Sequence, residues 1–543
     1  MSGMANREYQ MFPVLDAGQI EIARRFASGP PQKFAADEQI YGIGEQHAPS
    51  WLVIEGEIAV YRRDGLSHEA LITRHGPGQF TGEINQLAGR PSFAAGRAGP
   101  DGCTALPLDA VHLRALMVGS AELGELVMRA LILRRVGLIE EGGAGTILIG
   151  SPRDPDLVRL QGFLTRSGYP NLVHDVAETG EGRALVERLG LLPEELPLVV
   201  CPDGTLLRHP TEVELAACLG MMPTLDPDQV YDMAVVGAGP AGLAAAVYGA
   251  SEGLSVIVLD ERAMGGQAGA SNRIENYLGF PTGISGQALA GRAFTQAVKF
   301  GAEIAVPLAV KRLDCDASPM RIELSTGDTI RARSVVVASG ARYRRPAIDG
   351  LDRFEGAGVS YWASPIEARL CAGEEVALVG GGNSAGQAAV FLAPQVKRLH
   401  LMVRRDLSET MSRYLIDRIA ALPNVEVHVG SEVVALEGDR AEGLVAAEFR
   451  THDGGSHRCA LRHLFLFIGA EPNADWLRGC ADTDRHGFIL TGQGPRPLET
   501  NVPGVFAIGD VRAGSTKRVA AAVGEGAAVV AQVHQLLAAQ QAG

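Results

Sequence analysis

Thiols are few and far apart in this chain: seven cysteines in 543 residues, at positions 103, 201, 218, 315, 371, 459 and 480, with no C-x-x-C anywhere. An odd, scattered set argues against a disulfide framework and suits a reducing compartment. Basic charge is also short. Lys and Arg number 49 against 63 Asp and Glu, a formal net charge of −14, so the chain lacks the basic face of a protein that tracks nucleic-acid phosphates. The first ten residues, MSGMANREYQ, carry no apolar core of a leader peptide, and a cytoplasmic protein is expected. Long apolar runs are missing too. The two uncharged windows, Met233 to Ser251 and Val376 to Val396, are full of glycine and fit buried βα units better than a membrane span. Proline, at 29, shows neither excess nor period, which excludes a collagen-like or low-complexity origin for the glycines.

What is present is an ordinary globular composition, 46% hydrophobic and 21% charged. The chain is long enough for about three or four domains of ~100–200 residues each. The 67 glycines exceed the usual ~7% share and look locally placed. Four stretches of different pattern follow one another.

Residues 1–142 begin with a helical stretch, Ala17 to Ala27. Short apolar runs separated by glycine turns come next: QIYGIGEQ, SWLVIEGEIAVYRR, ALITRHGPGQFTGEI and CTALPLD. Such spacing predicts a β-roll, closed by a helix-patterned segment from Asp109 to about Gly142. Gly56-Glu57 after a strand, the Pro77-Gly78 turn and the Gly82-Glu83 pair resemble the cyclic-nucleotide-binding domain family. The resemblance implies a pocket in which Glu83 receives a ribose hydroxyl and an arginine about nine residues later holds the cyclic phosphate. That position is Ser92 here. Loss of the charged partner forfeits ~1.5–3 kcal/mol, so binding of a cyclic nucleotide turns on whether Arg90 or Arg97 reaches the pocket. No helix-turn-helix follows, which removes a transcription-factor reading.

Residues 145–225 read strand, helix, strand, helix, strand, turn, strand, helix, with Pro197 just before the third strand. The order resembles a thioredoxin or glutaredoxin fold. Those proteins place C-x-x-C between the first strand and its helix; this chain has Ser151, Pro152, Arg153 and Asp154. A docking or spacer module, mimicking a thioredoxin against its reductase, is expected in place of a redox carrier. Cys201 reads as a small buried apolar residue.

The run YDMAVVGAGPAGLAAAVYGASEGLSVIVLDE carries Gly237, Gly239 and Gly242 in G-x-G-x-x-G, preceded by a strand, followed by a helix, and with Asp260 23 positions past the first glycine. That combination is a dinucleotide fingerprint: the glycines let backbone approach a pyrophosphate at a helix N-terminus and the acid meets a ribose hydroxyl. A second copy has Gly380 and Gly382, then Asn383, Ser384 and Ala385, and its second strand ends in Arg404 and Arg405. Arginine bonds a 2′-phosphate that a carboxylate repels, which favours NADPH over NADH.

Residues 231–543 resemble the low-molecular-weight thioredoxin reductase family over nearly their whole length. The segments that carry the likeness are Gly265-Gly266-Gln267, IENYLGFP with Asn276, VVVASGARYRRP, FLFIGAEPN and NVPGVFAIGDVR. The resemblance implies one bound FAD, one exchanging NADPH, Gly509 and Asp510 at the flavin ribityl chain, and a homodimer. The family's Arg-Gln near the flavin edge aligns with Lys517 and Arg518, before Val519. The expected architecture is multidomain: a β-roll, an α/β thioredoxin-like unit and two Rossmann-like domains, with the FAD domain (231–350 and 467–543) interrupted by the NADPH domain (351–466).

The family's active-site disulfide follows a G-V-S-Y sequence. Here Gly358-Val359-Ser360-Tyr361 leads into Trp362, Ala363, Ser364 and Pro365. Both thiols are replaced, so dithiol transfer at Trp362 and Pro365 is chemically excluded. Cys371 reads as a core residue, and Trp362 either shields the flavin or packs elsewhere. Two functions follow. One is an NADPH-dependent FAD oxidoreductase whose electrons leave to an external protein, small oxidant or dioxygen; the other is a flavin- and NADPH-responsive sensor or interaction protein without substantial turnover.

Overall fold

The structure, a computed structural model, describes residues 8–63, 69–140, 146–178, 180–271, 273–356, 358–439, 442–477 and 479–542. The expected join between the first two units, at Gly142, lies outside them. The first unit is a five-stranded antiparallel sheet in which the long strands Ser50–Arg63 and Ala94–Leu108 pair along their length. Its core is closed by Leu52, Phe80, Leu106, Leu113, Leu116 and Val127. The helix-patterned closing segment expected from Asp109 onward forms two helices, Ala110–Gly119 and Ala121–Glu140. Ser120 between them is extended (φ −130°, ψ 106°). Serine favours such a helix-entry conformation over a helix interior, and the backbone turns there.

The second unit has the sheet order Asn171–Asp175, Thr146–Gly150, Leu198–Val200, Leu206–Arg208, parallel in its first pair and antiparallel in the others. The Leu196-Pro197 peptide is cis. Helix Pro155–Arg166 starts at Asp154, whose carboxylate accepts from the Asp156 and Leu157 amides, so the turn at 151–154 is an N-cap without thiol chemistry.

In the reductase-like half, a parallel sheet runs Glu303–Ala305, Val256–Leu259, Met233–Val236, Val335–Val337, Val505–Ala507. Its last strand comes from the C-terminal segment. A second parallel sheet, Val359–Ser360, His463–Leu466, Glu375–Val379, Arg398–Val403, Val425–Val429, is inserted between the two segments and carries a three-stranded antiparallel layer over 431–460. No helix among the described residues is long and apolar enough to cross a membrane.

The cysteine reading needs correction. Cys201 is disulfide-bonded to Cys218, and Cys315 to Cys480. Sequence separation hid both pairs: helix Glu212–Cys218 returns over the end of strand Leu198–Val200, and the Cα atoms of Cys201 and Cys218 stand 6.7 Å apart. The scatter of thiols therefore carries no inference about a reducing compartment. Cys371 is free and buried, as read.

Candidate active site

Strand Met233–Val236 is buried throughout and ends in Gly237, at φ +118°. A Cβ there would collide with the Ala338 carbonyl, and one at Gly242 with the Gly237 carbonyl. These two glycines are required by the packing of strand, loop and helix. Gly239 differs: the nearest heavy atom to an added Cβ is Gly266 Cα, at 3.9 Å. It begins helix Pro240–Ser251 with no side-chain cap, and an uncapped helix N-terminus of this kind can stabilise a bound phosphate. Asp260 follows strand Val256–Leu259. Its carboxylate accepts from the amides of Ala238 (2.8 Å), Arg262 (2.9 Å) and Ala263 (3.1 Å). Burial pushes its pKa up, against those three bonds. The acid read as a ribose contact thus first holds the glycine loop, and a carboxylate's ~four lone-pair sites leave acceptor capacity for a hydroxyl.

Gly265 and Gly266 both have positive φ, and the Gly265 amide bonds Ala238 O at 2.7 Å. Gln267 donates its side-chain amide to Ala341 O. Asn276 is exposed, while its neighbour Glu275 pairs with Arg418 of the inserted domain. At the C-terminal segment, the Gly509 amide donates to Glu525 (2.6 Å), which also holds Arg512 (2.6 Å) and Ser515 (3.1 Å). Burial raises Asp510, opposed by the Lys517 charge. The Lys517 ammonium donates to Asp510 O and lies 4.4 Å from the Phe488 ring centroid. Arg518 is exposed, and Val519 opens helix Val519–Ala542. Sequence reading missed Glu525, although it is the single acid in that 24-residue helix.

The inserted domain repeats the design. Gly380 (φ +147°) has its would-be Cβ against Phe467 O, whereas Gly382 has open space and begins helix Asn383–Leu392 without a side-chain cap. The Asn383 side chain accepts from the Ser412 amide at 2.7 Å. Burial pushes the Tyr343 pKa up, Ser384 lowers it, and the Asp510 charge raises it. Tyr343 meets the Phe467 ring edge-on at 5.7 Å, and the Phe467 carbonyl is the group that a Cβ at Gly380 would strike, so this ring contact brings Tyr343 to the glycine loop of the inserted domain. Arg404 and Arg405 follow strand Arg398–Val403 and are exposed; Arg405 lies 3.5 Å from Glu409.

Where the disulfide is missing, Trp362 donates its indole N–H to Glu367 (2.9 Å), which also receives the Ser364 amide (2.9 Å). Pro365 is the first residue of helix Pro365–Leu370. Arg166 of the second unit lies 5.6 Å from the Trp362 ring centroid. Trp362 thus packs against that unit. The Cys371 thiol is buried and pushed up to about 12, which makes it a poor nucleophile.

In the roll, Arg90 does not enter the expected nucleotide pocket. Its guanidinium donates to Ile304 O (2.9 Å) and stacks on Phe294 at 5.3 Å, because the cassette turn abuts strand Glu303–Ala305 and helix Gly286–Lys299. Arg97 pairs with Glu69 (2.7 Å). Ser92 bonds Ala94 O. Glu83 is buried 3.4 Å from Arg135, and Gly82 O accepts from Arg134 at 2.8 Å. Both arginines come from helix Ala121–Glu140, far along the chain from the position where the family pattern seeks one.

Residues 231–526 match the family described as pyridine nucleotide-disulphide oxidoreductase, and residues 31–119 match the cyclic nucleotide-binding domain. An alkyl hydroperoxide reductase protein of Escherichia coli is 33% identical over 309 residues, 56% of this chain and 57% of that protein, so the match spans little more than half of that relative. The thioredoxin reductase of Mycoplasma genitalium is 32% identical, covering 57% of this chain and 96% of its own length. Among solved structures, thioredoxin reductases of T. acidophilum and of Lactococcus lactis in its FR conformation are 28% and 27% identical. Each covers 57% of this chain and 99% of its own, with a TM-score of 0.53. Two strand–glycine loop–helix units whose helices begin without side-chain caps, together with these likenesses, place the chain in the pyridine nucleotide-disulphide oxidoreductase family, as a thioredoxin reductase-like flavoprotein oxidoreductase with an N-terminal cyclic nucleotide-binding domain.

Proposed function

We propose that the protein is an NADPH-dependent FAD oxidoreductase that delivers electrons to an acceptor outside its own nicotinamide domain. The observation that carries this reading is the pairing of two open phosphate loops with a thiol-free segment at 362–365, where Trp362, Glu367 and Arg166 form a polar stack. When bound, NADPH supplies a hydride that FAD accepts.

The chain's own residues bind and orient. Gly239 and Gly382 leave room for diphosphates, and the helices behind them stabilise the negative charge. Arg404 and Arg405 discriminate for a 2′-phosphate. Asp510 faces the flavin ribityl chain, held in place by the Glu525 cluster on Gly509. Residues 145–225 act as a thioredoxin-like docking module; support comes from their strand order and the seat of Arg166 on Trp362. That seat leaves a protein disulfide without access at the family's usual place, so a small oxidant, dioxygen or a protein docking elsewhere takes the electrons.

Anaerobic mixing of the FAD-loaded protein with NADPH, then reoxidation by a quinone, dioxygen or thioredoxin, tests this. The flavin band should bleach with NADPH and recover over repeated cycles with quinone or dioxygen, while thioredoxin disulfide stays oxidised. A flavin that NADPH leaves oxidised would overturn the reading. Bleaching without recovery by any acceptor would favour a redox-responsive interaction protein.

A further inference from the structure

Among the described residues two groups bring three metal-ligating side chains together: Cys201, Asp203 and Cys218, and His400, Glu426 and His428. The first has its thiols joined to each other. The second has no covalent link among its ligand atoms, two of which share a hydrogen bond, and a defined shape. His400 Nδ1 lies 3.1 Å from His428 Nε2 and 3.5 Å from Glu426 Oε2, and His428 Nε2 lies 3.9 Å from the same oxygen. A point about 2 Å from all three atoms exists inside that triangle, which is the bond length of zinc to imidazole nitrogen and carboxylate oxygen. We propose that His400, Glu426 and His428 bind a divalent transition-metal ion, zinc by ligand type.

Three further observations support the site. His400 is 12% exposed at its side chain, and its other nitrogen faces Glu375 Oε2 at 3.8 Å. Glu375 is fixed by Lys397 at 2.9 Å, so a carboxylate stands behind the ligand as it does in many zinc sites. The His457 ring, on strand Ser456–Ala460, is 5.7 Å from that of His428 and extends the imidazole cluster. Arg398, 3.0 Å from Glu426 Oε1, leaves Oε2 for the metal.

The ion would join strand Arg398–Val403 to the sheet's edge strand, Val425–Val429. Edge strands are the least constrained part of a sheet, so the metal acts as a staple in the nicotinamide domain.

The test is metal binding by the full-length FAD-loaded protein, stripped with chelator, dialysed against zinc sulfate and counted by elemental analysis. One zinc per chain is expected, lost in His428→Gln, while Glu375→Gln weakens binding about tenfold and His486→Gln leaves it intact. X-ray absorption of the zinc-loaded wild type gives an answer independent of any variant. Two or more imidazole shells support the site; fewer than two, or no retained zinc, overturn it. Retention of zinc by a folded, flavin-bearing His428→Gln protein would overturn it as well.

Discussion

Arg404 and Arg405 sit at a strand end with their guanidinium groups in solvent. Each can form a charge-assisted bond worth about 1.5–3 kcal/mol. Replacing both by alanine should raise KM for NADPH by about one to two orders of magnitude and leave KM for NADH nearly unchanged, as steady-state kinetics with both coenzymes will show. Equal losses would remove the 2′-phosphate assignment. The positions of these arginines were readable in the sequence because they are local, the end of a second strand after a glycine loop. Glu525, Tyr343, Arg134 and Arg135 were not, because each acts across chain distance. Glu525 lies 16 residues from the Gly509 amide it holds, and Arg134 lies 52 residues from Gly82. No local pattern announces such partners.

At the level of elements, glycines that look alike in G-x-G-x-x-G do different work. Gly242→Ala puts a methyl into the Gly237 carbonyl, so the loop and helix must separate, a backbone clash of the kind that costs several kcal/mol. Gly239 has φ −75° and open space beside it; alanine there should change stability by less than ~0.5 kcal/mol and project into the diphosphate site. The expected outcome is that Gly242→Ala lowers the melting temperature of the flavin-free protein and Gly239→Ala does not, while both lose FAD, measured as the ratio of flavin to protein absorbance. Loss of stability in both variants would mean that Gly239 also belongs to the packing. The βα units were legible because strand, loop and helix are contiguous. The break at Ser120 was not legible within the helix-patterned segment, since apolar spacing continues through it and one serine's backbone angles decide the bend.

Across the whole molecule, the second unit touches both the roll and the reductase half, and the roll also touches that half directly through Arg90. Gln287 of helix Gly286–Lys299 donates to Thr165 O at 2.5 Å, and Arg166 covers Trp362. Restoring two thiols by Trp362→Cys with Pro365→Cys should therefore give a protein that still fails to reduce thioredoxin, assayed with NADPH and insulin. Reduction at a rate set by added thioredoxin would show that the module swings clear. Composition announced several domains, yet not their mutual seating or the two disulfides, because both are fixed by tertiary contacts.

The cassette turn of the roll carries one more implication. Phe93 is 8% exposed, lies in the hydrophobic core of the second unit, and meets Tyr169 edge-on at 5.0 Å. Emptying such a place costs about 3–5 kcal/mol, a large part of a small domain's total stability of ~5–15 kcal/mol. The first two units are consequently not independent beads on a string. They melt together, and a fragment cut between them would inherit a hole where its neighbour's phenylalanine belongs.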